Sequence, residues 1–120
     1  MFKKVGLFEA TVIYESKFFK PGHGLTIPQI GVITYPGAFS NRLDIGLIQH
    51  EFGHILQWRK LGSLGFYFKI GFPSLWSAIK ASLVKRYFHQ NHPVEINSNL
   101  LSYEYFNKPN NWDFKRFPIA

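Results

Sequence analysis

The chain contains no cysteine. That excludes a disulfide scaffold, a thiolate metal site and a cysteine nucleophile, so any metal ion must be held by His, Asp or Glu. Acidic residues are scarce, seven against fourteen Lys and Arg, and the formal charge is +7. Long basic runs are missing too. The cations are scattered as Lys3-Lys4, Lys17 to Lys20, Arg59-Lys60, Lys85-Arg86 and Lys115-Arg116, and no glycine-rich RNA motif accompanies them. Nucleic acid is therefore not an expected partner. The charge still leaves anionic lipid and acidic peptides as attracted classes. The longest apolar stretch, Leu61 to Val84, is broken by Lys69, Lys80, Pro73 and three glycines. It is a poor membrane span, but it suits an amphipathic segment lying on a surface. Met1-Phe2-Lys3-Lys4 begins like a signal peptide, yet Glu9, Glu15 and Lys17 interrupt the apolar core that export needs. The sequence leaves the compartment open, with a slight lean to the cytoplasm.

What is present is a globular composition. Of 120 residues, 46% are hydrophobic and 18% aromatic, mostly Phe, which is enough for one domain, 1–120, with a modest core. Residues 5–14 read as a strand or a first helix, and Lys20 to Gly24 as a loop. The β-branched run Ile30 to Tyr35 reads as a strand. Pro28 and Pro36 bracket it, which suggests a sheet edge. Ser40 is a candidate N-cap and Asp44 suits a first helical turn. Leu43, Leu47, His50, His54, Gln57, Trp58 and Leu61 then recur at helical spacing, predicting a helix over 41–61 that Gly62 closes. Residues 62–73 are aromatic and glycine-interrupted. Pro73-Ser74 opens a second helix to about Arg86, and Asn91-His92-Pro93 a third, running to Phe106 and stopped by Pro109. The aromatic tail from Trp112 to Ala120 is expected to pack on the body.

His50-Glu51-Phe52-Gly53-His54 carries the chemistry. Histidines four apart on a helix share a face, so two imidazoles can reach one ion. Glu51 beside them can take a proton from the water that a metal activates. Gly53 costs the helix up to about 1 kcal/mol, which suggests that something packs close to the backbone there. A tetrahedral catalytic zinc needs a third protein ligand and an open position. Lys60 and Leu61 stand where a third histidine would follow in the extended motif, so that version is excluded. The candidates left are His23, His89, His92, Glu95 and Glu104. Glu95 fits best, in the first turn of the third helix with Asn99 one turn on, where an acceptor can hold the second ring nitrogen of a zinc histidine. Glu104 reads better as a solvated surface charge.

The motif followed by Glu95-x-x-x-Asn99 resembles the gluzincins, zinc metallopeptidases with two motif histidines and a downstream Glu, over residues 41–106. It is similar in size to compact single-domain members of the minigluzincin kind. The resemblance implies an α+β, zincin-like fold, with helices packed on a small sheet and the active helix carrying HExxH. It implies that His50, His54 and Glu95 bind Zn2+ and that Glu51 is the general base. It further implies that strand 30–35 lies along the cleft and pairs with an extended peptide substrate. The chain departs from the pattern at Asn99, where the family has Asp, and in a longer stretch between His54 and Glu95.

The expected activity is zinc-dependent peptide hydrolysis. Tyr87, His89, His92 and Tyr103 are candidate donors to the oxyanion or substrate. Two alternatives stand beside it: a non-catalytic zinc-binding domain of the same fold, and a basic peripheral module docking on anionic membrane through Leu64 to Lys85. Exposure of Phe66, Phe68, Phe72, Leu75 and Trp76 discriminates the last, because a core hides them and a docking surface shows them.

Overall fold

A computed structural model describes residues 1–84 and 86–120. Residues 2–16, ambiguous in sequence, form a hairpin of β1 (Phe2–Phe8) and β2 (Thr11–Ser16). Its two-residue turn places Glu9 and Ala10 at positive φ (49° and 64°), which matches the twist of the flanking strands. A second hairpin joins β3 (Gly24–Ile27) to β4 (Gly31–Thr34), and β4 also pairs with β2 in parallel. The result is a four-stranded mixed sheet of order β1-β2-β4-β3. Gly31, at φ 140°, permits this pairing. A Cβ there would run into the Val12 carbonyl, whose carbon would lie 3.1 Å away.

The strand expected at 30–35 is therefore present, but it is not an edge. β4 has neighbours on both sides. Pro28 and Pro36 lie outside its four paired residues, so they withhold no donor from the ladder, and only a proline inside a ladder marks an edge. The free edge on that side belongs to β3.

Three α-helices among the described residues complete an α+β chain. α1 (Ile45–Phe66) begins later than expected. Asp44, not Ser40, is its N-cap, accepting from the Leu47 amide at 3.1 Å. Ser40 is engaged elsewhere: its backbone N–H and hydroxyl, with the amides of Gly37 and Phe39, all donate to buried Glu15. Burial pushes the Glu15 carboxyl up, but these four donors outweigh it and hold the pKa below its ordinary value. They also fix the loop that delivers the chain to α1. Gly62 interrupts α1 at φ 76°, ψ 172°, the break that its position suggested. The chain then resumes as helix where an irregular aromatic segment was expected. A π-helical stretch (Tyr67–Gly71) leads directly into α2 (Phe72–Leu83). The widened turn makes room for the ring of Pro73, which would otherwise meet the carbonyl one turn back. A short 3-10 turn (His89–Asn91) precedes α3 (Pro93–Tyr105). α3 starts and ends close to the expected positions, with His92 as its N-cap.

Two apolar clusters hold the layers together. Ile13 and Val32 from the sheet pack on Ile48 of α1. Tyr35, Ala38 and Leu47 pack on Trp112 and Phe117 of the C-terminal tail. The tail is clamped further by Arg116, which donates from Nη1 and Nη2 to the two Asp44 carboxylate oxygens, each at 2.7 Å.

Candidate metal centre

The buried face of α3 is polar. Glu95, Ser98, Asn99 and Ser102 follow one another at helical spacing, and all are buried. They meet α1 where Gly53 allows close approach. Ser98 donates to the His50 carbonyl at 2.8 Å and Ser102 to that of Gln49 at 2.6 Å. This seam brings the α1 motif and Glu95 together across more than forty residues of chain.

His50, Glu51 and His54 each offer a ligand atom, and these atoms lie within 4.8 Å of one another. Glu95 faces both histidines. Its Oε1 is 3.0 Å from His50 Nε2 and 3.1 Å from His54 Nε2. Ligands about 2.0–2.1 Å from a tetrahedral zinc stand about 3.3 Å apart, so these separations are close to the edge of such a site. Glu51 is a weaker claimant to the third position. Its Oε1 accepts from Thr26 Oγ1 at 2.7 Å, and its Oε2 is 3.7 Å from His50 Nε2.

The hydrogen bonds behind the cluster orient it. Asn99 Nδ2 donates to the Pro118 carbonyl at 3.0 Å, which turns Oδ1 toward His50 Nδ1 at 2.5 Å. Gln57 Nε2 donates to the Val94 carbonyl and to Asn97 Oδ1, which turns Oε1 toward His54 Nδ1 at 2.7 Å. Each imidazole thus donates through Nδ1, and in its neutral form presents a lone pair at Nε2. Two lone pairs and a carboxylate oxygen then face one point, an arrangement that only positive charge can satisfy. Without an ion, protons must supply it. Burial disfavours a charged His54, but the Glu95 carboxylate outweighs that and raises its pKa. Burial would likewise raise Glu95, and His54, with hydrogen bonds from His50 and His89, instead holds it well below the usual carboxylate range. A divalent cation satisfies the same three acceptors, so this donor set fits a metal.

Several residues of this site carried no signal in the sequence. Ser74 of α2 donates to Glu95 Oε2 at 2.6 Å, leaving Oε1 as the oxygen aimed at the histidines. Thr26 of β3 holds Glu51. Phe117 stacks on the His50 ring at 5.5 Å between centroids. Serine, threonine and tail aromatics are too common to single out before the chain is folded.

The remaining candidates separate clearly. His89 is at the site, with Nε2 3.4 Å from Glu95 Oε1 and Nδ1 bonded to Ser77 Oγ at 2.9 Å. Tyr87 reaches Ser77 through its hydroxyl at 2.6 Å. His23 stands at the cleft mouth with Nδ1 bonded to the Pro21 carbonyl. His92 Nδ1 accepts from the Val94 amide as the helix cap, and the Tyr103 ring packs against Trp112 and Phe114 in the tail; neither residue lines a cavity walled by the cluster. Glu104 is exposed at the far end of α3. Two cavities, of about 280 and 460 Å³, flank the cluster and share Glu51, His89 and Glu95 as walls. The site is thus buried at its ligand atoms and open beside them.

Comparison with family models, curated proteins and solved structures finds no match to this chain.

Proposed function

We propose that the chain is a zinc-dependent peptidase of gluzincin-like architecture, with His50, His54 and Glu95 as ligands and Glu51 as general base. The observation that carries this reading is the convergence of three hydrogen-bond acceptors on one point, with both second ring nitrogens held by amide oxygens that cannot turn away. A zinc ion held by these three residues would supply Lewis acidity to a water and to the scissile carbonyl. Glu51 Oε1 is engaged by Thr26, so Oε2 is the oxygen that takes the water proton and passes it to the leaving amine. His89, propped by Ser77 at the shared wall of the two cavities, is the donor placed to meet negative charge on the substrate carbonyl.

The peptide runs along β3 rather than along 31–34. β4 has no free edge, whereas β3 does, and it carries Thr26 against the general base. Extended peptides add to such edges by backbone pairing.

Metal analysis of wild type beside Glu95→Ala and Glu51→Gln tests the assignment. Glu95→Ala should lose zinc, and zinc binding as tight as wild type would remove Glu95 from the ligand set. Glu51→Gln should keep zinc and lose hydrolysis of a peptide library. Retained turnover would end the general-base role.

A further inference from the structure

α2 is amphipathic with its sides exchanged. The small and polar residues face inward: Ser77 is buried, Ser74 bonds Glu95, and Ala78 and Ala81 line the cavities beside the cluster. The large apolar residues face out. Phe72, Leu75, Trp76, Ile79 and Leu83 fall on one helical face and are between 43% and 78% exposed, and Phe68 just before them is 65% exposed. Of the five residues whose exposure separates a core from a docking surface, only Phe66 is buried. Isolated apolar side chains on a surface are ordinary, but a contiguous face of this size marks an interaction site.

The charge around this face names the occupant. Between Glu51 and Glu95 the sequence contains no Asp or Glu. Lys69 of the π-helical stretch, Lys80 of α2 and Arg86 just beyond it are all exposed. Lys85 lies outside the described residues. Beside Trp76 a groove of about 470 Å³ is lined by Lys80 and Arg86 and by no carboxylate among the described residues. Cations with interleaved aromatics, and no acidic residue to compete, suit a surface of lipid phosphates. A second copy suits it poorly, because pairing two such faces would set Lys69 and Lys80 against their own counterparts. No helix among the described residues is long and apolar enough to cross a membrane, so the contact is peripheral.

We propose that the exposed face of the π-helical stretch and α2 docks on an anionic lipid surface, with the apolar side chains entering the interface and the Lys80–Arg86 groove receiving a lipid phosphate. This goes beyond the peptidase reading and does not depend on it: of the exposed apolar residues of the docking face, Leu75 alone also lines a cavity beside the cluster.

Vesicle sedimentation of the full chain tests the proposal. The vesicles are phosphatidylcholine alone and equal parts phosphatidylcholine and phosphatidylglycerol. Wild type should sediment with the mixed vesicles, weakly or not at all with phosphatidylcholine, and less as salt rises. Trp76→Glu should abolish binding. Lys69→Gln and Lys80→Gln should each weaken it roughly fivefold. All three positions are exposed, so circular dichroism and zinc content should stay at wild-type values. Absence of wild-type binding to mixed vesicles overturns the proposal. So does equal binding to both vesicle types at any salt. A concentration-dependent dimer that Trp76→Glu dissolves, without lipid binding by the wild type, assigns the face to self-association instead.

Discussion

Gly53 and Ser98 touch backbone to backbone. A Cβ at position 53 would overlap the Ser98 carbonyl oxygen, and the carbonyl carbon would be 2.8 Å away. The proposed metal site depends on this approach, because α1 carries His50 and His54 and α3 carries Glu95. An alanine at 53 would favour an isolated helix by up to about 1 kcal/mol. In the folded chain it must push α3 outward and break the Ser98 and Ser102 bonds to α1. Overpacking of this kind costs about 1–3 kcal/mol. Gly53→Ala is therefore expected to lower the urea midpoint and to weaken zinc binding together. An unchanged midpoint would show that the seam gives way freely.

Asn99 uses both ends of its side-chain amide. Oδ1 holds His50 and Nδ2 holds the Pro118 carbonyl. Removing a group that orients a metal ligand typically lowers affinity about 10- to 100-fold. Asn99→Ala should fall in that range in a chelator competition. Asn99→Asp keeps the contact to His50 and adds charge, but sets a carboxylate against the Pro118 carbonyl. It should bind zinc better than Asn99→Ala and should loosen the tail, which limited proteolysis would read near residue 116.

Thr26→Val removes a hydroxyl with little change of shape. Glu51 Oε1 then has no donor, and the carboxylate is free to rotate. Zinc content should match wild type, while kcat falls about tenfold or more, within the usual worth of a positioned general base. A loss of zinc instead would assign Glu51 to the metal.

Asp44 gives the fold an acid limit. Burial disfavours its charge, but the Arg116 fork, the Tyr35 hydroxyl and the Leu47 amide outweigh it, and its pKa is lowered. A carboxyl depressed on folding contributes stability above its unfolded pKa and loses it as pH falls through the folded one. Wild type should therefore exceed Asp44→Ala by about 1–2 kcal/mol at neutral pH, the scale of a lost helix cap. The difference should begin to shrink below the ordinary carboxylate range and continue to shrink with further acid. Urea midpoints measured across that span check the sign. A gap constant with pH would mean that Asp44 acts without its charge.

Zinc should also stabilise the fold, because only the folded chain brings Glu95 to the two histidines. A hundredfold excess of ion over the dissociation constant adds about 2.7 kcal/mol. Chelation should lower the melting temperature of wild type and leave Glu95→Ala unmoved.

His50, Glu51 and His54 could be read as a group from spacing alone, because helical period is a local property and puts i and i+4 on one face. The third helix and its proline start were legible for the same reason. So was the tight approach at Gly53, since glycine inside a long helix costs stability unless space is short. Longer-range features were decided by tertiary structure. β4 reads as an edge strand from its bracketing prolines, yet it is interior, because pairing partners come from distant chain. Thr26, Gln57 and Ser74 look like any other polar residues until folding aims them at the cluster. α2 reads as amphipathic from its sequence, but periodicity cannot say which side meets the protein. Here the packed side is the polar one, where Ser74 bonds Glu95 and Ser77 bonds Tyr87 and His89, and the apolar side is left facing out.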